Sequence, residues 1–237
     1  MHTKLSIILT TILLLGISCN NSDDQGNQQE KSEYTYLALG DSYTIGEKVD
    51  TSDRFPAQLA DTLISSGINV KETKIVAKTG WTTDDLAKGI QQAELRETYD
   101  LVTLLIGVNN QYQGKDVENY RPEFRELLQK AIDFAGDDPE KVVVLSIPDW
   151  GVTPFAESRD RETISAEIDE YNRVNKEETQ QAGVSYVNIT PVSRKAENNP
   201  GLIAEDGLHP SGKMYAMWVD KMFTEAKRAI TTESDND

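Results

Sequence analysis

The sequence predicts an α/β protein, a parallel β-sheet with helices packed on both of its faces. Three observations carry this. Five short apolar runs recur along the chain, segments of helical periodicity alternate with them, and residues capable of chemistry stand just after the runs. Crossover helices cover both faces of a parallel sheet, so its strands read as nearly continuous apolar runs. Those runs are YTYLALG (34–40), NVKETKIVA (69–77), DLVTLLIG (100–107), KVVVLSI (141–147) and VSYVNI (184–189).

The helices follow from spacing and caps, and five of them are expected to alternate with the strands. Thr82, with Asp85 three residues on, reads as an N-cap ahead of Leu86 and Ile90. In 117–135, Phe124, Leu127, Leu128, Ala131, Ile132 and Ala135 share one helical face. Ile164, Ile168, Tyr171 and Val174 do the same in 161–182, and a last helix begins near Ser211 with Met214, Met217, Trp218 and Met222. There is no internal repeat and no sign of a second domain. At 237 residues, 38% of them hydrophobic, the chain suits one medium domain with appendages. That domain is expected over 34–232, with 233–237 as a disordered tail.

The formal net charge is -16, which repels phosphate backbones and anionic headgroups. Nucleic acid is therefore not an expected partner. Residues 1–18 hold one Lys, an apolar run too short for a confident membrane span, and small residues before Cys19. They read as a secretory leader. Cys19 is the single cysteine, so no intramolecular disulfide is possible. LGISC resembles a bacterial lipoprotein cleavage box, in which the cysteine becomes the lipid-bearing N-terminus, although Gly16 stands where Leu is usual. This resemblance implies an envelope protein, periplasmic or surface-exposed, that meets the membrane only through its lipid. Residues 19–33 are polar and aperiodic, as a flexible tether is.

Ligands of such sheets bind beyond the C-terminal ends of the strands. GDSYT, with Ser42, follows the first run, and KTGWTT, with Gly80, follows the second. GVNNQYQG, with Asn109, follows the third, and PDWGVTPF the fourth. EDGLHPSG, with Asp206 and His209, precedes the last helix. Taken singly, each is an ordinary turn or loop signal. Together they hold the parts of an acyl-transfer site. A serine hydroxyl attacks only when a base takes its proton, and His209 is the one histidine beyond the leader. Asp206 is placed to hold the other ring nitrogen. The backbone N–H groups of Ser42 and Gly80, with the Asn109 amide, are candidate oxyanion donors.

Other chemistry fits worse. A G-x-S-x-G elbow is absent, since Thr44 stands two residues after Ser42. There is no H-E-x-x-H, no spaced cysteine pair for zinc, and no Gly-rich phosphate loop. Asp84 and Asp85 read as helix N-terminal charges rather than a glycosidase pair.

The four ordered blocks around Ser42, Gly80, Asn109 and the Asp206–His209 pair resemble the SGNH hydrolases, also called GDSL-type esterases and lipases. The resemblance spans nearly the whole domain. It implies a flavodoxin-like three-layer α/β/α sandwich with a five-stranded parallel sheet, and hydrolysis of carboxylic esters through an acyl-serine. It implies neither metal nor cofactor. Two positions depart from the family's commonest wording: Tyr43 replaces a frequent Leu, and Asn110 follows the catalytic Asn where Asp is common.

The substrate does not carry over from the family. Tyr43, Trp81, Tyr112 and Trp150 lie beside the blocks, placed either to line an acyl pocket, to stack on sugar rings or to pack the loops. Short runs after Ser42 and between Trp150 and Arg161 predict an open site without a lid. Three readings stay open at this level. One is a small-acyl esterase acting on acylated glycans. Another is a lysophospholipase or thioesterase-like hydrolase of longer chains. The third is a catalytically idle glycan-binding envelope protein, against which the intact Ser42, Asp206 and His209 argue.

Overall fold

A computed structural model describes residues 32–232. The leader, Cys19, the tether up to residue 31 and the tail from 233 lie outside the described residues. Five strands, β1 (Glu33–Gly40), β2 (Asn69–Ala77), β3 (Leu101–Leu105), β4 (Val142–Leu145) and β5 (Ser185–Val187), form one sheet. Every pairing is parallel and the order is β2-β1-β3-β4-β5. The helical segments are α1 (Ser42–Ile45), α2 (Phe55–Ser65), α3 (Thr83–Gln92), α4 (Val108–Tyr112), α5 (Val117–Phe134), α6 (Arg161–Gln181), α7 (Thr190–Ser193) and α8 (Gly212–Thr231).

The strand order dictates the layers. The chain steps one way from β1 to β2, then the other way through β3, β4 and β5. Because parallel crossovers are right-handed, reversing the step changes the face on which the connecting helix lies. Accordingly α2 packs with α8, while α5 packs with α3 and α6. The reversal leaves β1 and β3 adjacent with their following loops diverging, the crevice in which such sheets bind ligands.

β3 and β4 are buried along their whole length, as are Tyr36 to Leu39 of β1. Met214, Tyr215, Trp218 and Met222 bring the apolar face of α8 into the core, where Trp218 lies 6.3 Å from the Phe55 ring of α2. Each such side chain contributes about 1.5–3 kcal/mol through burial.

The elements depart from expectation mainly at their ends. The runs 100–107, 141–147 and 184–189 shrink to shorter strands because residues at both of their ends leave the sheet. Lys141 belongs to a 3-10 turn, and the buried Ser146 hydroxyl accepts the N–H groups of Ile189 and Thr190 instead of continuing a strand face. At the other end, Glu33 already pairs with Asn69, so the first strand takes up the last residue of the expected tether.

Candidate active site

The site is built from loops at one end of the sheet. β1 ends at Gly40, where a Cβ would lie 2.1 Å from Thr44 Oγ1 and 2.5 Å from the Leu105 carbonyl oxygen. Only glycine lets the chain pass there. The next residue, Asp41, caps α1 by accepting the Tyr43 N–H at 3.0 Å, which sets Ser42 on the first turn. Asp41 is 1% exposed, and burial pushes its carboxyl up to about 7 despite the Tyr43 N–H.

Gly80 follows β2 with φ +83°, the left-handed region that favours glycine. A Cβ there would meet nothing, so conformation rather than space selects the residue. The start of α3 is fixed as its sequence predicts: the Asp85 carboxylate accepts the Thr82 N–H at 3.1 Å and the Thr82 hydroxyl at 2.9 Å.

Asn109, on α4, donates from Nδ2 to the Trp81 carbonyl at 2.9 Å and so ties the loop after β3 to the loop after β2. An amide nitrogen carries two hydrogens, which leaves one for a ligand. Its neighbour Asn110 is fully buried. Asn110 Oδ1 accepts the Thr83 N–H at 3.1 Å, while Nδ2 donates to Thr83 Oγ1 at 2.7 Å and Glu123 Oε2 at 3.3 Å. The Thr83 hydroxyl in turn donates to Glu123. The residue that departs from the family's common Asp thus anchors α4 to α3 and α5.

In the loop before α8, Asp206 does two jobs. Its Oδ1 accepts the N–H groups of Leu208 and His209, both at 3.0 Å, which folds the loop. Its Oδ2 lies 2.6 Å from His209 Nδ1, which holds the ring. Burial alone would raise the Asp206 carboxyl. The His209 ring and the two N–H groups outweigh it and hold the carboxyl below its ordinary range. Ser211 then caps α8.

Ser42, Gly80, Asn109 and His209 line one pocket of about 220 Å³, together with Tyr43, Tyr112, Trp150 and Phe155. Asp206 stands behind His209, bonded to the ring but outside the lining. The Ser42 hydroxyl and the imidazole share the pocket without a hydrogen bond between them, and such contacts commonly tighten only when substrate binds. Ser42, Gly80, Asn109, Asp206 and His209 are therefore brought to one place.

The aromatic residues divide. Tyr43, Tyr112 and Trp150 line the pocket, whereas Trp81 does not. Its ring lies on α3, so close that a Cβ on Gly89 would fall 2.2 Å from it. What Trp81 brings to the site is its carbonyl. Trp150 is fixed by a donated bond to Gln111 Oε1 at 2.7 Å, and Gln111 Nε2 donates to Glu167 at the same distance. Phe155, Gln111 and Arg159, which stacks on this cluster, escape sequence reasoning. Phe155 stands within PDWGVTPF, but nothing local marks where its ring points.

A hydroxyl, an imidazole tethered to a carboxylate, and amide donors around one cavity make up the equipment of acyl transfer. On this sheet they define a hydrolase of the SGNH type. The chain belongs to the GDSL-like lipase/acylhydrolase family, whose model matches residues 38–217, and it is a carboxylic ester hydrolase. Among solved structures it is similar to TesA (20% identity, TM-score 0.64, covering 82% of this chain and 99% of that one). A lipase/acylhydrolase from Enterococcus faecalis gives 22% identity and a TM-score of 0.63, over 82% and 95% of the two chains. An acetylxylan esterase from Geobacillus stearothermophilus gives 17% and 0.62, over 84% and 95%. At these identities the likeness speaks for the fold alone. No curated protein matches the sequence significantly.

Proposed function

We propose that Ser42 is the nucleophile, His209 its general base, and Asp206 the carboxylate that orients the imidazole. The N–H groups of Ser42 and Gly80 and the Asn109 amide receive the oxyanion. Ser42 Oγ attacks the ester carbonyl carbon as its proton passes to His209 Nε2. The tetrahedral intermediate collapses, and the alcohol leaves with that proton. Water, deprotonated by His209, then attacks the acyl-serine, which releases the acid and restores Ser42. One observation carries this reading: the 2.6 Å contact from Asp206 to His209, in the wall of a pocket that Ser42, Gly80 and Asn109 also line.

The preferred substrates are small-acyl esters, carbohydrate O-acetyl esters foremost. The pocket's 220 Å³ lies below the range of about 300–1,000 Å³ typical of drug-sized ligand sites, which favours a short acyl group over a long chain. The alcohol part stays in the mouth, where Tyr112 and Phe155 are 46% and 40% exposed. Flat exposed rings suit the apolar face of a sugar. The acetylxylan esterase named above shares the fold, and acetyl is an acyl group this pocket would take.

A chain-length series of nitrophenyl esters, with acetylated xylan and a lysophospholipid alongside, tests the reading. Acetyl and propionyl esters are expected to lead. Turnover that climbs with acyl length, or a preference for the lysophospholipid, supports the long-chain alternative instead. A folded Ser42→Ala protein with near wild-type turnover overturns the mechanism.

We also propose that the enzyme is held in a bacterial envelope by lipid on Cys19. The carriers are Lys4, the apolar run that follows it, and the position of the cysteine. Cys19→Ser is expected to release soluble enzyme or stall processing. Unchanged membrane association contradicts the anchor.

A further inference from the structure

Arg159 is the one arginine among the described residues whose guanidinium lies over aromatic rings. Acidic residues outnumber Lys and Arg by 40 to 24, and Arg96, Arg121, Arg125, Arg173, Arg194 and Arg228 pair with carboxylates, whereas Arg54, Arg159 and Arg161 have no such pair among the described residues. Arg159 is exposed and forms no ion pair among the described residues. Its guanidinium carbon instead lies 5.3 Å from the Tyr112 ring centroid, 5.6 Å from Phe155 and 5.8 Å from Trp150. Nη2 donates to the Tyr112 hydroxyl at 3.2 Å. The three rings also pack on one another, with centroids 5.4 to 6.4 Å apart.

A cation–π contact of this kind holds a guanidinium near the rings without neutralising it. Of its five N–H donors the Tyr112 bond uses one, so a planar fork remains for an anion. The rings beneath it line the pocket, but Arg159 itself does not. It therefore meets the part of a substrate that projects from the mouth, which is the alcohol moiety. Elsewhere the acidic surface repels anions. Arg159, flanked by the exposed Glu157 and Asp160, sets one unpaired cation against that charge at the mouth.

We propose that Arg159 is a specificity-determining residue and that the alcohol moiety of the preferred ester carries a carboxylate, as in an O-acetylated acidic saccharide. The inference rests on ester hydrolysis at Ser42. A carboxylate matches the fork in two parallel hydrogen bonds, while the sugar face meets the rings.

The test compares kcat/KM for an O-acetylated methyl galacturonide and the matching neutral galactoside in wild type, Arg159→Gln and Arg159→Lys. Wild type is expected to favour the acidic ester by about tenfold. Arg159→Gln is expected to erase that ratio, and Arg159→Lys to keep part of it, through charge without the fork. The preference should also weaken with added salt. A wild-type ratio near unity overturns the proposal. So does a ratio that Arg159→Gln changes by less than about twofold, or that Arg159→Lys lowers as far as Arg159→Gln does. Nitrophenyl acetate, assayed in wild type and Ser42→Ala, separates the two levels. Without serine-dependent hydrolysis the underlying reading fails, and with it but without the Arg159-dependent ratio, only this inference fails.

Discussion

The edge of the Tyr43 ring meets the imidazole of His209, with centroids 5.7 Å apart and planes at 61°. Tyr43 also meets Trp218 of α8, at 6.3 Å and 62°. The tyrosine that replaces the family's frequent Leu thus links the His209 ring, the turn that carries Ser42 and the core. Edge contacts of this kind contribute about 0.5–1.5 kcal/mol beyond burial. Tyr43→Ala is expected to lower kcat on nitrophenyl acetate by about tenfold to a hundredfold, since a misplaced catalytic group is costly. Tyr43→Leu should recover most of it. Steady-state kinetics of the two variants, beside their melting temperatures, checks whether the loss follows His209 or the fold.

Asn110 leads to a paired prediction. In Asn110→Asp, a carboxylate oxygen replaces the nitrogen that lies 3.3 Å from Glu123 Oε2, and the Thr83 hydroxyl cannot satisfy both acids. A loss of about 1–3 kcal/mol in urea unfolding at neutral pH is expected. Adding Glu123→Gln should restore much of it, because an amide can donate where the carboxylate repels. Additive effects in that double-mutant cycle would show that the two side chains are not coupled.

Gly40→Ala should cost both stability and activity. The overlap with the Leu105 carbonyl is with the backbone of a central strand, which cannot shift cheaply. Overpacking of this sort costs about 1–3 kcal/mol. The strain is relieved most readily by moving the turn that carries Ser42. Turnover per folded molecule is therefore expected to fall as well, which active-site titration with a serine-directed phosphonate would measure.

Asp41 makes stability depend on pH. Its carboxyl is raised by burial from 3.8 to about 7, so the folded protein holds this proton more tightly than the unfolded chain does. The associated stability is complete below the ordinary carboxylate value and is lost as pH rises through about 7. The full swing is at most about 4 kcal/mol. Asp41→Asn keeps an oxygen for the Tyr43 N–H and removes the titration. Urea unfolding at pH 5 and pH 8 should show a flatter profile for Asp41→Asn than for wild type. Parallel profiles would contradict it.

Much of this was legible because its causes are local. The i, i+3 pair Asp206 and His209 makes its bonds within one loop, and Thr82 with Asp85 caps a helix by themselves. β1 reads clearly because its apolar run is continuous, whereas β2 at the sheet edge carries Lys71, Glu72 and Lys74 and reads through its β-branched Val70, Thr73, Ile75 and Val76. Helix α2 drew no boundaries from sequence, although Pro56 stands in its first turn. Its apolar face is defined by α8, which arrives more than a hundred residues later. The same reason hid Trp81's place on α3, the Trp150–Gln111–Glu167 relay and the ring stack under Arg159. Each depends on where one loop meets another, and strand-end residues such as Ser146 looked like strand until a distant segment claimed their hydrogen bonds.

The groups of the pocket come from both ends of the folding domain. Ser42 follows the first strand, whereas His209 arrives after the last, held in place by the cap of α8 and by a tyrosine beside Ser42. With His209 as the base proposed above, a nascent chain carries its serine for most of its synthesis with nothing to activate it. With Ser42 and His209 in the roles proposed above, hydrolysis needs both ends of the domain in place, so catalytic competence is itself a reporter of completed folding.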